Sequence, residues 1–325
     1  MTTLRIAGSR CVLGEVIGRG GMGDVYAVDH PELGAMAVKV LLPELRREPL
    51  LVLRMQEEAA AASRILHTNV VRIVDHGVTS DGVPFVAMFR VAGKPLGLAI
   101  AEHGPLPLAQ LRSAAGQILA GLAEIHVAGF VHGDLKSDNI LWDAEERRAV
   151  IIDFGLARAP STRLRDEHDM ISGTPDYMAP ELVCGDAITR AADIYAVGVI
   201  LYEMLTGSTP FGGGTVAQIL ARQLHDDVVP PSLRCPDRAI PRELESAIMR
   251  ALAKNPHLRP TQAMRLRAQV MRATSAPPKE LPSCTRGVFT TNGPTRRWTR
   301  AHAVQNDRAW KQHEPLIAGA TRRSR

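Results

Sequence analysis

Cysteine is scarce in this sequence of 325 residues, and its distribution excludes two kinds of stabilised fold. The four cysteines, Cys11, Cys184, Cys235 and Cys284, are far apart and form no CxxC pair. This spacing argues against a disulfide framework and against a zinc site. It is typical of a protein of the reducing cytoplasm, where thiols stay free.

Long apolar runs are also missing. No run approaches the ~20 residues that a membrane-spanning helix needs, and the N-terminus lacks the apolar block of a signal peptide. The most apolar stretch, Ile194–Leu205, contains Tyr195, Tyr202 and Glu203 and is typical of a core helix. We therefore expect no membrane span.

Excess positive charge is confined to the end of the chain. Residues 275–325 carry 10 Lys and Arg against 3 Asp and Glu, a net +7, whereas residues 1–274 carry 29 against 31, a net −2. This balance argues against a uniformly basic surface for nucleic acid, and we expect no nucleic-acid partner. The tail lacks periodicity, which predicts disorder, and its Trp298 and Trp310 suggest a segment on which a partner docks.

The remaining sequence, with 45% hydrophobic residues, divides into a strand-rich first part and a helix-rich second part near Gly93. The first part predicts strands at Cys11–Ile17, Asp24–Val28, Ala35–Leu41, Val70–Val74 and Phe85–Phe89, and a helix at Leu50–Leu66. The second part predicts a hairpin at Ile140–Trp142 and Val150–Asp153 and helices at Leu111–Ile125, Ala191–Thr206, Thr215–Leu224, Arg242–Lys254 and Thr261–Arg272.

A glycine cluster, Gly18-Arg19-Gly20-Gly21-Met22-Gly23, lies between the first two predicted strands. Glycines in such a turn let backbone N–H groups approach a phosphate closely, because no Cβ intervenes. The same spacing occurs in dinucleotide-binding domains, but there a helix follows, whereas here an extended segment follows. An ordinary hairpin turn remains the alternative for the motif taken alone.

After the glycine cluster, the sequence contains a strand lysine and two motifs rich in acidic residues. Lys39 lies in the apolar strand Ala37-Val38-Lys39-Val40, where it either contacts a phosphate or is simply solvated. The segment from His132 to Asn139 (HGDLKSDN) is followed 14 residues later by Asp153-Phe154-Gly155. Carboxylate and amide oxygens grouped in this way are typical of magnesium-assisted phosphoryl transfer.

With the segment Gly173–Glu181 (GTPDYMAPE), these motifs occur in an order that resembles the eukaryotic-like Ser/Thr protein kinases of bacteria. The resemblance covers residues 11–272. It implies a bilobal α+β fold, with a small antiparallel-sheet lobe and one helix over about 11–88 and a larger, mainly helical lobe over about 92–272. It also implies that the chain uses ATP with Mg²⁺ or Mn²⁺ to phosphorylate Ser or Thr hydroxyls of proteins.

The resemblance assigns roles to individual residues. Lys39 would bind the α- and β-phosphates and pair with Glu58, with Glu57 as the alternative. Asp134 would accept the proton of the substrate hydroxyl, and Lys136 would stabilise the transferred group. Asn139 and Asp153 would bind the metal and, with it, the nucleotide. The other implied nucleotide-binding residues are Ile17, Gly18, Arg19, Gly20, Gly21, Met22, Gly23, Val25, Ala37, Met88, Phe89 and Val91.

Three further residues would have structural roles by the same resemblance. Glu181 would form a buried ion pair with Arg259, and Asp193 would anchor the catalytic loop. One departure stands out: Gly133 occupies the position between the loop histidine and aspartate where the family usually has arginine. In the family that arginine receives the phosphate of a phosphorylated activation segment, so this mode of regulation is in doubt here.

Two other functional classes stay open. A pseudokinase would act as a binding scaffold, but it would ordinarily lack Lys39, Asp134 or Asp153. A small-molecule phosphotransferase shares the acidic pattern but lacks the segment Gly173–Glu181, which supports a polypeptide substrate.

Overall fold

The computed structural model of the chain describes residues 3–79, 81–153 and 175–273. The first of these ranges, with residues 81–89, forms a small lobe of antiparallel strands. Its elements are β1 (Thr3–Ile6), β2 (Ser9–Val12), β3 (Val16–Arg19), β4 (Gly23–His30), β5 (Gly34–Leu41), α1 (Pro49–Ala62), β6 (Ile73–Val78) and β7 (Pro84–Phe89). The strands β1 and β2 pair as a hairpin, and the other five form a sheet in the order β3-β4-β5-β7-β6.

The two faces of this sheet are used differently. Side chains alternate along a strand, and Met36, Val38 and Val40 of β5 are buried in one cluster with Leu4 and Ile6 of the hairpin. The hairpin therefore contributes to the core of the small lobe. The lobe thus begins before Cys11, the residue at which the sequence pattern predicts its start. The opposite face is turned toward the second part of the chain.

The second part forms a larger lobe that is mainly helical. Its elements are β8 (Lys94–Pro95), α2 (Leu96–His103), α3 (Leu108–Val127), β9 (Ile140–Asp143), β10 (Arg148–Ile151), α4 (Pro180–Val183), α5 (Arg190–Thr206), α6 (Val216–His225), α7 (Pro231–Arg234), α8 (Arg242–Ala251) and α9 (Ala263–Ala273). Helix α5 is buried along most of its length and packs against α3 and α8. In the described ranges, no helix has both the length and the hydropathy that crossing a bilayer demands.

The expected bilobal α+β architecture is confirmed, and several element boundaries differ from the predicted ones, two of them for physical reasons that the contacts show. The strand predicted at Cys11–Ile17 is divided into β2 and β3, because the chain changes its pairing partner from β1 to β4 near Gly14. The Gly14 N–H donates to the Ala27 carbonyl of β4 at 2.9 Å. The strand predicted from Val70 begins only at Ile73, because Val70 pairs with Ile151 of the larger lobe. The basic tail with Trp298 and Trp310 lies outside the described residues.

Candidate active site

One face of the small-lobe sheet carries the apolar residues that are expected to surround a nucleotide. Val25 lies directly opposite Lys39 in the β4–β5 pair, and Ala37 lies opposite Met88 in the β5–β7 pair. Directly paired residues share a face, and so do residues two apart on one strand. Val25, Ala37, Lys39 and Met88 therefore share the face turned away from the hairpin. Phe89 ends β7, where its N–H donates to the Arg72 carbonyl, and Val91 follows it.

The glycine cluster forms the tight turn between β3 and β4. The Gly20 N–H donates to the Gly23 carbonyl at 3.0 Å, which closes the turn. A Cβ at Gly23 would lie 2.4 Å from the Val40 carbonyl oxygen, so glycine is needed there for strand packing. A Cβ at Gly21 would meet nothing within 4 Å, which leaves open space above the turn. The remaining predicted residues of this region, Ile17, Gly18, Arg19 and Met22, lie on the turn and on β3.

Lys39 meets Asp153 across the two lobes. The Lys39 ammonium donates to both carboxylate oxygens of Asp153, each at 2.9 Å. Both side chains are partly exposed, so the pair lines an accessible cleft. Glu58 is half-buried on α1 whereas Glu57 is exposed, which favours Glu58 as the acidic partner. The pair between Lys39 and Glu58 stays a prediction.

The catalytic-loop residues lie together beside Asp153. The Lys136 ammonium is 3.6 Å from a carboxylate oxygen of Asp134. The Asn139 side-chain amide donates to the Asp134 carbonyl at 2.8 Å, and the Asn139 carbonyl accepts from the N–H of Ile152 at 2.9 Å. These bonds bring Asn139 next to the residue that precedes Asp153. The two residues expected to bind a metal therefore lie on adjacent strand ends.

Asp193 fixes the start of this loop, as expected. Its carboxylate is 1% exposed and accepts from the N–H groups of His132 and Gly133, each at 2.8 Å. It also accepts from Nε2 of His126 at 2.8 Å. Gly133 has φ +77°, in the left-handed region that glycine enters without steric cost. Gly133 thus suits the local backbone and donates its N–H to Asp193.

The expected ion pair between Glu181 and Arg259 is confirmed. The guanidinium donates to the two carboxylate oxygens at 2.5 and 2.7 Å, and it lies over the ring of Tyr195 at 4.8 Å from the centroid. Such a bidentate pair fixes geometry as well as charge. The pair ties the segment that begins at Pro175 to the helical core.

A buried hydrogen-bonded cluster of Ser137, Tyr177 and Glu203 was not predicted from the sequence. The Ser137 hydroxyl lies 2.7 Å from the Tyr177 hydroxyl, and the Tyr177 hydroxyl donates to the Glu203 carboxylate at 2.7 Å. Burial raises the pKa of Glu203 to about 7, and burial together with the Glu203 charge raises the pKa of Tyr177 well above its usual value. One signal was available: Glu203 is the acidic residue within an otherwise apolar run.

The residues present fit a nucleotide with a hard divalent cation. Asn139 and Asp153 offer amide and carboxylate oxygens, which are the ligands that magnesium prefers. The open turn at Gly20 and Gly21 leaves room for phosphates near backbone N–H groups. Other motif residues, Phe154, Gly155, Gly173 and Thr174, lie outside the described residues.

A two-lobed fold, a glycine turn, a lysine–aspartate pair across a cleft and a catalytic loop anchored to a buried helix define one class of protein. Residues 11–271 match the protein kinase domain family, and the chain belongs to that family.

Curated relatives include two bacterial Ser/Thr protein kinases. The chain is 36% identical over 265 residues to the serine/threonine-protein kinase pkn3 of Myxococcus xanthus, an alignment that covers 78% of this chain and 48% of that protein. It is 35% identical over 288 residues to the serine/threonine-protein kinase PknB of Mycobacterium leprae, covering 87% and 46%. The chain thus matches about half the length of these relatives.

A solved structure shares the fold. The kinase domain of PknI from Mycobacterium tuberculosis is 27% identical in sequence and superposes with a TM-score of 0.63. The superposition covers 83% of this chain and 97% of that domain.

Proposed function

We propose that this chain is a Ser/Thr protein kinase that transfers the γ-phosphoryl group of ATP to Ser or Thr hydroxyls of proteins, in bacterial signalling. The observation that carries the proposal is the convergence of Lys39 and Asp153 with Asp134, Lys136 and Asn139 in one cleft. Membership of the protein kinase family and the similarity to bacterial Ser/Thr kinases support it.

The side chains divide the work of phosphoryl transfer. Lys39 is a fixed positive charge for the α- and β-phosphates, and Lys136 is one for the transferred group. Asp134 orients the substrate hydroxyl and accepts its proton. Asn139 and Asp153 would hold magnesium or manganese, which when bound neutralises charge on the phosphates. The anchored loop keeps these groups in register, so little reorganisation is needed at the moment of reaction.

We also propose that the chain acts without a phosphate on its activation segment. Gly133 has no side chain with which to bind such a phosphate, and its N–H is used by Asp193. Cytoplasmic localisation stays a proposal too, supported by the free thiols of Cys11, Cys184 and Cys235 among the described residues. The docking of a partner through residues 275–325 rests on the sequence alone.

An autophosphorylation assay tests the proposal most simply. The chain is incubated with labelled ATP and Mg²⁺, or Mn²⁺, and the phosphorylated amino acids are identified. We expect label on serine or threonine. ATP binding without transfer would favour a pseudokinase, and transfer to small acceptors alone would favour a small-molecule phosphotransferase; either result overturns the proposal.

A further inference from the structure

We propose that Ser137 is a positioning residue for phosphoryl transfer, held through Tyr177 and Glu203 to helix α5, so that α5 fixes the catalytic loop on both sides of Asp134. This inference rests on the proposed kinase function and concerns the same site.

The direction of the hydrogen bonds follows from the donors available. Tyr177 has one hydroxyl proton, and it donates that proton to the Glu203 carboxylate. When Glu203 is ionised, Ser137 therefore donates to the Tyr177 oxygen, at 2.7 Å. Ser137 is 1% exposed and Tyr177 is 8% exposed, so water does not compete for these bonds. The ionised Glu203 carboxylate polarises the Tyr177 and Ser137 hydroxyls and strengthens both hydrogen bonds.

Ser137 lies where its side chain controls the reacting groups. It follows Lys136 directly and begins the 3-10 turn Ser137–Asn139, in which the Asn139 N–H donates to the Lys136 carbonyl at 3.1 Å. A shift of the Ser137 backbone would move Lys136 on one side and Asn139 on the other. Its hydroxyl is also confined by α2, since a Cβ at Gly97 would lie 2.6 Å from the Ser137 oxygen.

Helix α5 provides the fixed reference. Asp193 on its first turn binds the N–H groups of His132 and Gly133, before Asp134. Glu203 lies ten residues further along the same helix, about 15 Å at 1.5 Å per residue, and reaches Ser137 after Asp134. Two supports on one buried helix restrain rotation of the loop, which a single support cannot do.

Tyr177 extends this restraint to a second segment. It ends the 3-10 turn Pro175–Tyr177, three residues before α4, whose Glu181 is paired with Arg259. The Ser137–Tyr177 bond therefore sets the distance between the catalytic loop and the segment that is expected to support a polypeptide substrate.

A double-mutant cycle tests the proposal in the full chain. The variants are Ser137→Ala, Tyr177→Phe and the pair combined, and Ser113→Ala is the control, since it removes a hydroxyl that bonds the Arg147 carbonyl elsewhere. For each variant kcat, the KM for ATP and the melting temperature are measured. We expect Ser137→Ala to lower kcat about tenfold with KM for ATP changed less than about twofold, and Ser113→Ala to leave kcat unchanged.

The combined variant separates positioning from simple packing. If Ser137 acts through Tyr177, the combined variant has a kcat close to that of Tyr177→Phe alone, because the losses are not additive. An unchanged kcat in Ser137→Ala, or losses that multiply, would overturn the proposal. If the wild-type chain shows no transfer at all, the proposed function fails and the positioning role fails with it, while non-additive melting temperatures would still report the bond itself.

Discussion

The ammonium of Lys39 lies 2.9 Å from each carboxylate oxygen of Asp153, although the two residues are 114 positions apart. Lys39 is on β5 of the small lobe, and Asp153 follows β10 of the larger lobe. The contact brings the charge expected to bind phosphates next to the carboxylate expected to bind the metal. The two groups therefore lie side by side in the cleft, where a nucleotide and its metal ion are expected to need both.

The glycine turn offers a matched pair of substitutions. Gly23→Ala should lower the free energy of unfolding by about 1–3 kcal/mol, because the new Cβ would overlap the Val40 carbonyl oxygen and push β4 from β5. Gly21→Ala, which meets nothing within 4 Å, should change it by less than about 0.5 kcal/mol. Urea unfolding of the two variants checks this. Equal losses would mean that Gly23 is not required for strand packing.

Glu203 should make stability depend on pH near neutrality. Its pKa is raised to about 7, chiefly by burial, with the charges of Asp138 and Asp176 acting in the same direction and hydrogen bonding with the Tyr177 and Ser137 hydroxyl pair opposing them. Glu203 of the folded chain thus keeps its proton up to a higher pH than Glu203 of the unfolded chain. The contribution of Glu203 to the free energy of unfolding therefore falls as pH rises from about 4.5 to 7.

Glu203→Gln removes this titration and provides the measurement. The stability of the variant relative to the wild type should increase between pH 5 and pH 8, by roughly 3 kcal/mol at most. Urea unfolding of both proteins at these two pH values gives the difference. Parallel changes in the two proteins would show that Glu203 does not titrate in this range.

Because residue 133 is glycine, we predict that a phosphate on the activation segment has little effect on the rate of phosphoryl transfer. The sequence offers Ser161, Thr162 and Ser172 as phosphosites, all outside the described residues. Phosphatase-treated enzyme, and the triple substitution of these sites by alanine, should each keep activity within about tenfold, ~1.4 kcal/mol, of the untreated wild type. A large activation that phosphatase reverses would mean that another cation does the work of the missing arginine.

The sequence was most informative where the chemistry is local. Asp134, Lys136 and Asn139 lie within six consecutive residues, so the motif alone brings them together. The resemblance singled out both Lys39 and Asp153 but paired Lys39 with Glu58, so the Lys39–Asp153 contact was found only in the structure. The partial burial of Glu58 favours it over the exposed Glu57 as the partner of Lys39, as the resemblance does, and the pair stays a prediction.

The sequence does not indicate the hairpin β1–β2, and it does not indicate that Ser137 and Tyr177 meet. The strands β1 and β2 have four residues each, too few to show a period, although Leu4 and Ile6 are buried in the small-lobe core. Ser137 and Tyr177 are 40 positions apart, and only the folded chain brings their hydroxyls together.

The central claim is that Asp134 acts in the transfer step and Asp153 in binding the metal–nucleotide complex. Asp134→Asn and Asp153→Asn are compared for Mg²⁺-dependent ATP binding and for phosphoryl transfer to a protein. Asp134→Asn should bind ATP with Mg²⁺ nearly as the wild type does and lose 10²–10⁴ in transfer rate, on the order expected for removing a general base. Asp153→Asn should weaken the Mg²⁺-dependent binding itself. Near-native turnover in Asp134→Asn would contradict the account.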